Sequence, residues 1–183
     1  KTLTSFATTA TSEAAERLAA IARAVDATAL VTYDPGGIYG HPDHLAVHRV
    51  GMEAARLAPV TTVYQATVDR EHLHFVATHL VGAAVEALMQ ARPAERPEGM
   101  PADLMARSVD GKLAGGTPTV LIDTSIDVSG VLGHKRAAMA AHLSQIPPDS
   151  EVMLLDDATF AAVYGHEWYV RCGPPTVLDQ LVG

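Results

Sequence analysis

The sequence holds one cysteine, Cys172. A lone thiol closes no internal disulfide, which excludes a secreted disulfide scaffold. Basic residues are scarce: 13 Lys and Arg stand against 21 Asp and Glu, a formal net charge of −8. Duplex nucleic acid needs Lys and Arg to displace its counterions, and an anionic membrane surface needs them as well. The sequence therefore predicts no nucleic-acid partner and no membrane partner. Long apolar runs are missing too. The longest, Phe75 to Met89, is interrupted by His79 and Glu86 and is too short to span a bilayer. The opening Lys1-Thr2-Leu3-Thr4-Ser5-Phe6 lacks the apolar run of a signal peptide, so a cytoplasmic location is expected. It also lacks an initiator methionine and reads as an internal start.

What is present suits a globular chain. The 183 residues are 48% hydrophobic and 19% charged, outside the disordered range. That length predicts a single domain over residues 1–183 with a sizeable core. A helix is predicted from Thr11 to Ala24, with Ser12 as its cap and Leu18, Ile21, Ala22 and Val25 at helical spacing. Ala29-Leu30-Val31-Thr32-Tyr33 reads as a buried strand, stopped by Asp34-Pro35-Gly36-Gly37. A second helix begins at Pro42, where proline is welcome and Asp43 suits the helix dipole. Thr61–Val68 reads as a strand, Asp69–Gln90 as a long helix and Arg92–Gly99 as a connecting loop. Thr119–Ile122 reads as a strand and Ser129–Leu143 as a helix. A short helix after Asp156-Asp157 and a strand at Trp168–Val170 follow. Helices alternating with apolar strands predict an α/β fold with a mainly parallel sheet covered on both faces.

One stretch carries chemistry: Tyr33-Asp34-Pro35-Gly36-Gly37-Ile38-Tyr39-Gly40-His41-Pro42-Asp43-His44-Leu45-Ala46-Val47-His48. It follows a buried strand and opens a helix, the place where open α/β sheets bind ligands. Three of the nine histidines fall here, spaced i, i+3 and then i, i+4, so a helix can carry them on one face. Neutral imidazole is the commonest metal ligand, and Asp43 is placed to fix the tautomer of a neighbouring ring. The spacing leaves open which histidines bind. Other candidates are weaker. Gly111-Lys112-Leu113 lacks the Ser or Thr of a phosphate loop, and no Gly-x-Ser-x-Gly elbow is present. His72, His74 and His79 read as solvated or packed, and Cys172 as structural. His134, Lys135 and His142 read as a surface face of their helix.

The run from Tyr33 to His44 resembles the second signature of the LmbE-like, or PIG-L, zinc-dependent N-acetylglucosaminyl deacetylases, among them the deacetylase and amidase of mycothiol metabolism. Ile126-Asp127-Val128-Ser129, with Lys135, Ala138, His142, Ser144 and Gln145, is similar to the family's later strand–helix unit. The resemblance covers most of the chain and implies a Rossmann-like three-layer sandwich. It implies that His44 is a zinc ligand and that His41 stabilises the tetrahedral intermediate. It also implies that Asp43 orients His41 and that Tyr39 helps polarise the amide carbonyl. His48 is not carried over as a ligand.

The family's first signature, Ala-His-Pro-Asp-Asp-Glu, supplies the other zinc ligands and the general base, and it is absent from this sequence. The resemblance thus implies the later portion of a full domain, lacking the first βα units, with the remaining ligands upstream. The implied function is hydrolytic removal of acetyl from an N-acetyl amino sugar conjugate, with Zn²⁺ as cofactor and a small-molecule partner. The alternatives are a zinc hydratase of the same family and a metal-free binding relative. A homo-oligomer is compatible with all three. Three lysines against ten arginines fit a GC-rich bacterial source.

Overall fold

The computed structural model describes residues 6–76, 79, 108–109, 112–113 and 115–181. They fall in two compact units, one of Lys1–Arg70, Ala114–Ile126 and Trp168–Gly183, the other of Glu71–Leu113 and Asp127–Glu167.

The first unit is built on two helix–strand steps. Helix α1 (Thr11–Ala24) leads into strand β1 (Ala29–Tyr33), and helix α2 (Pro42–Leu57) leads into strand β2 (Thr62–Thr67). The β1 and α1 bounds match the sequence reading. The expected Ser12 cap is not found: Ala10 precedes the helix and Ser12 lies inside its first turn. Small side chains let the two helices approach, with Ala15, Ala19, Val50 and Ala54 forming a buried cluster that Leu18 flanks. Strands β1 and β2 run parallel, from Ala29 opposite Thr62 to Tyr33 opposite Ala66. With β5 (Thr124–Asp127) and β6 (His166–Cys172) the sheet order is β1-β2-β6-β5.

Two expectations need correction. The sheet is mixed rather than mainly parallel, because β6 pairs antiparallel with β2, from Val63 opposite Cys172 to Thr67 opposite Trp168. An apolar run shows that a strand exists but not its direction, and an antiparallel pair needs no crossover of fixed hand. The strand expected at Thr119–Ile122 is a 3₁₀ turn over Thr119–Leu121, and β5 starts after it. Pro118 opens that turn, and the Thr119 hydroxyl is held by both carboxylate oxygens of Asp69, at 2.8 and 2.9 Å. Val120 is left 90% exposed, which no core strand would allow.

The C-terminal turn closes over β2. Tyr64 is fully buried, and its hydroxyl meets Thr176 Oγ1 at 2.6 Å and donates to the Asp179 carboxylate. Asp179 also accepts from the Thr176 backbone N–H at 2.8 Å, from the Arg171 guanidinium and from Thr124 Oγ1 at 3.1 Å. The Tyr64 hydroxyl, followed by the other donors, holds the Asp179 carboxyl well below the usual carboxylate range. A carboxylate with a depressed pKa stabilises the fold in full above its unfolded value of about 3.9 and loses that contribution as pH falls further. Asp179→Asn is therefore expected to weaken the protein at pH 7 and to flatten its acid-unfolding limb. Urea midpoints measured at neutral and at strongly acidic pH check this, and parallel curves for variant and parent would refute it.

In the second unit, β3 (Ser108–Val109) pairs antiparallel with β4 (Lys112–Leu113), so Lys112 lies on a short strand. Helix α3 (Arg70–Phe75) starts at the end of the first unit. Beyond Val76, with His79 excepted, the rest of the expected Asp69–Gln90 helix and the Arg92–Gly99 loop lie outside the described residues. A 3₁₀ turn (Ser129–Val131) enters helix α4 (Leu132–Ala140), and helices α5 (Glu151–Leu154) and α6 (Asp157–Tyr164) follow. Asp156 caps α6 by accepting from the Thr159 N–H at 2.8 Å. Among the described residues no helix is long and apolar enough to cross a membrane.

Candidate functional site

The candidate loop leaves β1 at its carboxyl end. Asp34 is the pivot there, 3% exposed. Its backbone N–H extends the ladder to Ala66 O at 3.0 Å, and its carbonyl accepts from Gly37 N–H at 2.9 Å. One carboxylate oxygen accepts from the Ile38 N–H at 2.9 Å and the other from the Thr67 hydroxyl. The chain then makes a kinked single turn, Gly37–Gly40, before α2 begins. Burial, followed by repulsion from Tyr39, pushes the Tyr33 phenol up, so it stays protonated at neutral pH.

The turn gathers four rings. Tyr33 stacks on His44 with centroids 4.1 Å apart. His41 lies 4.9 Å from His44, and Tyr39 lies 5.2 Å from His44 and 6.1 Å from His41. The structure thus brings together the rings of Tyr39, His41 and His44.

Hydrogen bonds give the two histidines opposite tautomers. His41 is the N-cap of α2, and its Nδ1 accepts from the Asp43 backbone N–H at 3.2 Å. An accepting Nδ1 carries no proton, so neutral His41 has its proton on Nε2 and is a hydrogen-bond donor there. His44 Nδ1 lies 3.2 Å from Gly37 O. A carbonyl only accepts, so Nδ1 carries the proton and Nε2 keeps its lone pair. That is the form in which histidine ligates a metal, with the second nitrogen fixed by a backbone carbonyl. His48 Nδ1 is turned instead to Tyr33 O at 2.9 Å, tying α2 to β1. Asp43 meets His41 through its backbone, while its carboxylate accepts from the Ala7 N–H at 2.8 Å.

His44 fits one place in a zinc site. A catalytic zinc takes about three protein ligands. Among the described residues no three His, Cys, Asp or Glu side chains come together to hold a metal ion, so these residues do not assemble the site by themselves.

Several contributors carry no local signal in sequence. A strap at Gly115–Thr117 arrives from far along the chain, and Gly116 N–H donates to Ile38 O at 2.8 Å. Thr117 Oγ1 meets Thr67 Oγ1 at 2.8 Å. Arg70 donates to the Gly115 and Gly116 carbonyls at 3.4 and 2.8 Å. The Gly-Gly pair was the one available hint of a turn. A hollow of about 480 Å³ opens beside the loop, with Asp34, Ile38, Gln65, Arg70 and Thr117 among its walls. It is sized for a small molecule. His41 and His44 are not among its walls.

Two further histidines meet backbone carbonyls. His142 Nδ1 turns back to Ala138 O at 2.8 Å, and His72 Nε2 reaches Ala162 O at 3.0 Å. Lys135 pairs with Glu167 at 2.7 Å and donates to Tyr164 O at 2.8 Å. Cys172 is an exposed free thiol at the end of β6.

The fold and the loop define a class: an α/β protein with a His-Pro-Asp-His turn at the carboxyl end of a strand. No family model matches the chain. Among curated proteins it is 37% identical, over 84% of its own length, to a 1D-myo-inositol 2-acetamido-2-deoxy-alpha-D-glucopyranoside deacetylase of Streptomyces griseus. Proteins of the same name match it at 31% identity over 86% of the chain in Catenulispora acidiphila and at 33% over 88% in Nocardia farcinica. The chain is homologous to these deacetylases over most of its length, which bears out the LmbE-like resemblance. It spans about half the length of these relatives, between 46% and 55%.

Proposed function

We propose that the chain is the later portion of a single LmbE-like domain that hydrolyses the acetamide of an N-acetylglucosaminyl conjugate, releasing acetate and a free amine. The observation that carries this reading is the likeness to named N-acetylglucosaminyl-inositol deacetylases over most of the chain. The opposite tautomers of His41 and His44 support it, since one ring is a donor and the other offers a lone pair.

Zinc, when bound, polarises the amide carbonyl and lowers the pKa of a water. His44 Nε2, with its lone pair free of the Gly37 contact, would be one of its ligands. His41 Nε2–H donates to the oxygen that gains charge when the carbonyl is attacked. Asp43 acts on His41 through the backbone N–H that keeps the proton on Nε2. The Tyr39 hydroxyl is a second donor toward the same oxygen. The substrate is a small N-acetylated sugar conjugate.

The test uses the full-length protein. About one zinc per chain is expected in the parent, as a single catalytic site requires, and close to none in His44→Ala. Acetate release from N-acetylglucosaminyl-inositol should vanish with the metal. Full zinc content and an unchanged rate in His44→Ala would overturn the assignment.

A further inference from the structure

The geometry points to Arg70 as a positioning residue for the ring cluster, acting through the Gly115–Gly116 strap on a strained turn at Ile38. Ile38 has φ 63° and ψ −58°, the γ-turn region of positive φ, which is rare and strained for any residue with a side chain. For a β-branched residue it is an outlier that persists only where its surroundings impose it.

Those surroundings are on both sides of Ile38. Its N–H donates to buried Asp34, and its carbonyl accepts from the Gly116 N–H at 2.8 Å. Gly116 is fixed in turn. Its φ is +75°, and a Cβ there would stand 2.5 Å from Val68 O, so only glycine lets the strap come this close. Thr117 N–H donates to Val68 O at 2.8 Å, and Arg70 N–H donates to Thr117 O at 2.9 Å. The Arg70 guanidinium then reaches over to the carbonyls of Gly115 and Gly116. Among the described residues Arg70 makes no ion pair, and its fork is directed at the two carbonyls of the strap. A planar fork can hold two acceptors in fixed geometry where a lysine ammonium cannot.

Tyr39 follows Ile38 directly, and its ring sits 5.2 Å from His44 and 6.1 Å from His41. If Ile38 relaxes to negative φ, Tyr39 leaves that position. Arg70 therefore sets the ring cluster without touching it.

The experiment follows ¹H–¹³C signals of the histidine rings and acetate-release kinetics in the full-length protein, for Arg70→Lys alone and with Ile38→Gly added. The kinetic arm rests on the deacetylase reading, and the spectral arm does not. Glycine adopts positive φ at no steric cost, so it removes the strain the strap has to hold. Arg70→Lys is expected to shift the His41 and His44 signals and leave His142 in place. It should lower kcat about tenfold with KM within about twofold. Adding Ile38→Gly should return both signals and most of kcat. Unmoved His41 and His44 signals in Arg70→Lys would overturn the proposal. So would a rise in KM alone, which would mean that Arg70 touches substrate, or a failure of Ile38→Gly to restore the signals. Shifted and restored signals in a parent protein that releases no acetate would sink the deacetylase reading and uphold the role of Arg70.

Discussion

Replacing His41 with serine in the full-length protein is expected to lower kcat for acetate release by about 10²- to 10³-fold, the usual range for losing one donor to a developing oxyanion. Serine is chosen because His41 has a second task. Its side chain caps α2 by accepting from the Asp43 N–H. Alanine would remove the cap as well, costing about 1 kcal/mol of stability and confusing the result. Serine is a good cap, but its hydroxyl is too short to stand where Nε2 stood. Zinc content should stay near one per chain, because His44 and its bond to Gly37 are untouched. The pattern thus separates the two histidines: His44→Ala loses metal and rate together, whereas His41→Ser keeps the metal and loses the rate. A His41→Ser protein with near-normal kcat would remove His41 from the chemistry.

The second large effect concerns the frame that carries the loop. Helix α2 crosses β1 at Gly51, where a Cβ would stand 2.5 Å from Thr32 Oγ1 and 2.7 Å from Thr32 Cβ. Thr32 is buried, and its hydroxyl donates to Val47 O at 2.9 Å, so it has no free direction in which to yield. Gly51→Val is expected to cost about 3 kcal/mol, the upper part of the range for overpacking a core. A modest gain in helix propensity opposes that loss without reversing it. Urea denaturation of the full-length protein measures the change. Gly51→Ala combined with Thr32→Ala should recover about 1 kcal/mol relative to the sum of the two single variants, since the nearer of the two contacts, Thr32 Oγ1, is then removed. Gly51→Val with a parental urea midpoint would mean that α2 and β1 are not locked at this crossing. The consequence reaches the site, because α2 carries His41 and His44 while β1 ends in the Tyr33 that stacks on His44.

The features legible in the sequence are those with a local cause. Thr11–Ala24 shows its helix in apolar spacing, Ala29–Tyr33 its strand in a β-branched run, and Pro42 the start of α2 in the fixed φ of proline. The clustering of Tyr39, His41 and His44 was legible for the same reason, since one tight turn and one helix start hold all three. Where a local signal competed with a distant partner, the reading went astray. Thr119–Ile122 has the composition of a strand, yet the Asp69 carboxylate draws Thr119 into a turn. Ser12 has the chemistry of a cap, yet the cap position falls two residues earlier, at Ala10.

The helix–strand steps, the loop with the clustered histidines and the kinship with amino-sugar deacetylases are legible in the sequence, because each is written in residues close together along the chain. The antiparallel entry of β6 and the hold of Arg70 and Gly116 on Ile38 were settled only in the folded chain. Each of these depends on which backbone N–H or C=O comes within about 3 Å of a given atom. Most of those groups belong to segments brought together only by folding, and residue spacing does not encode which of them will meet.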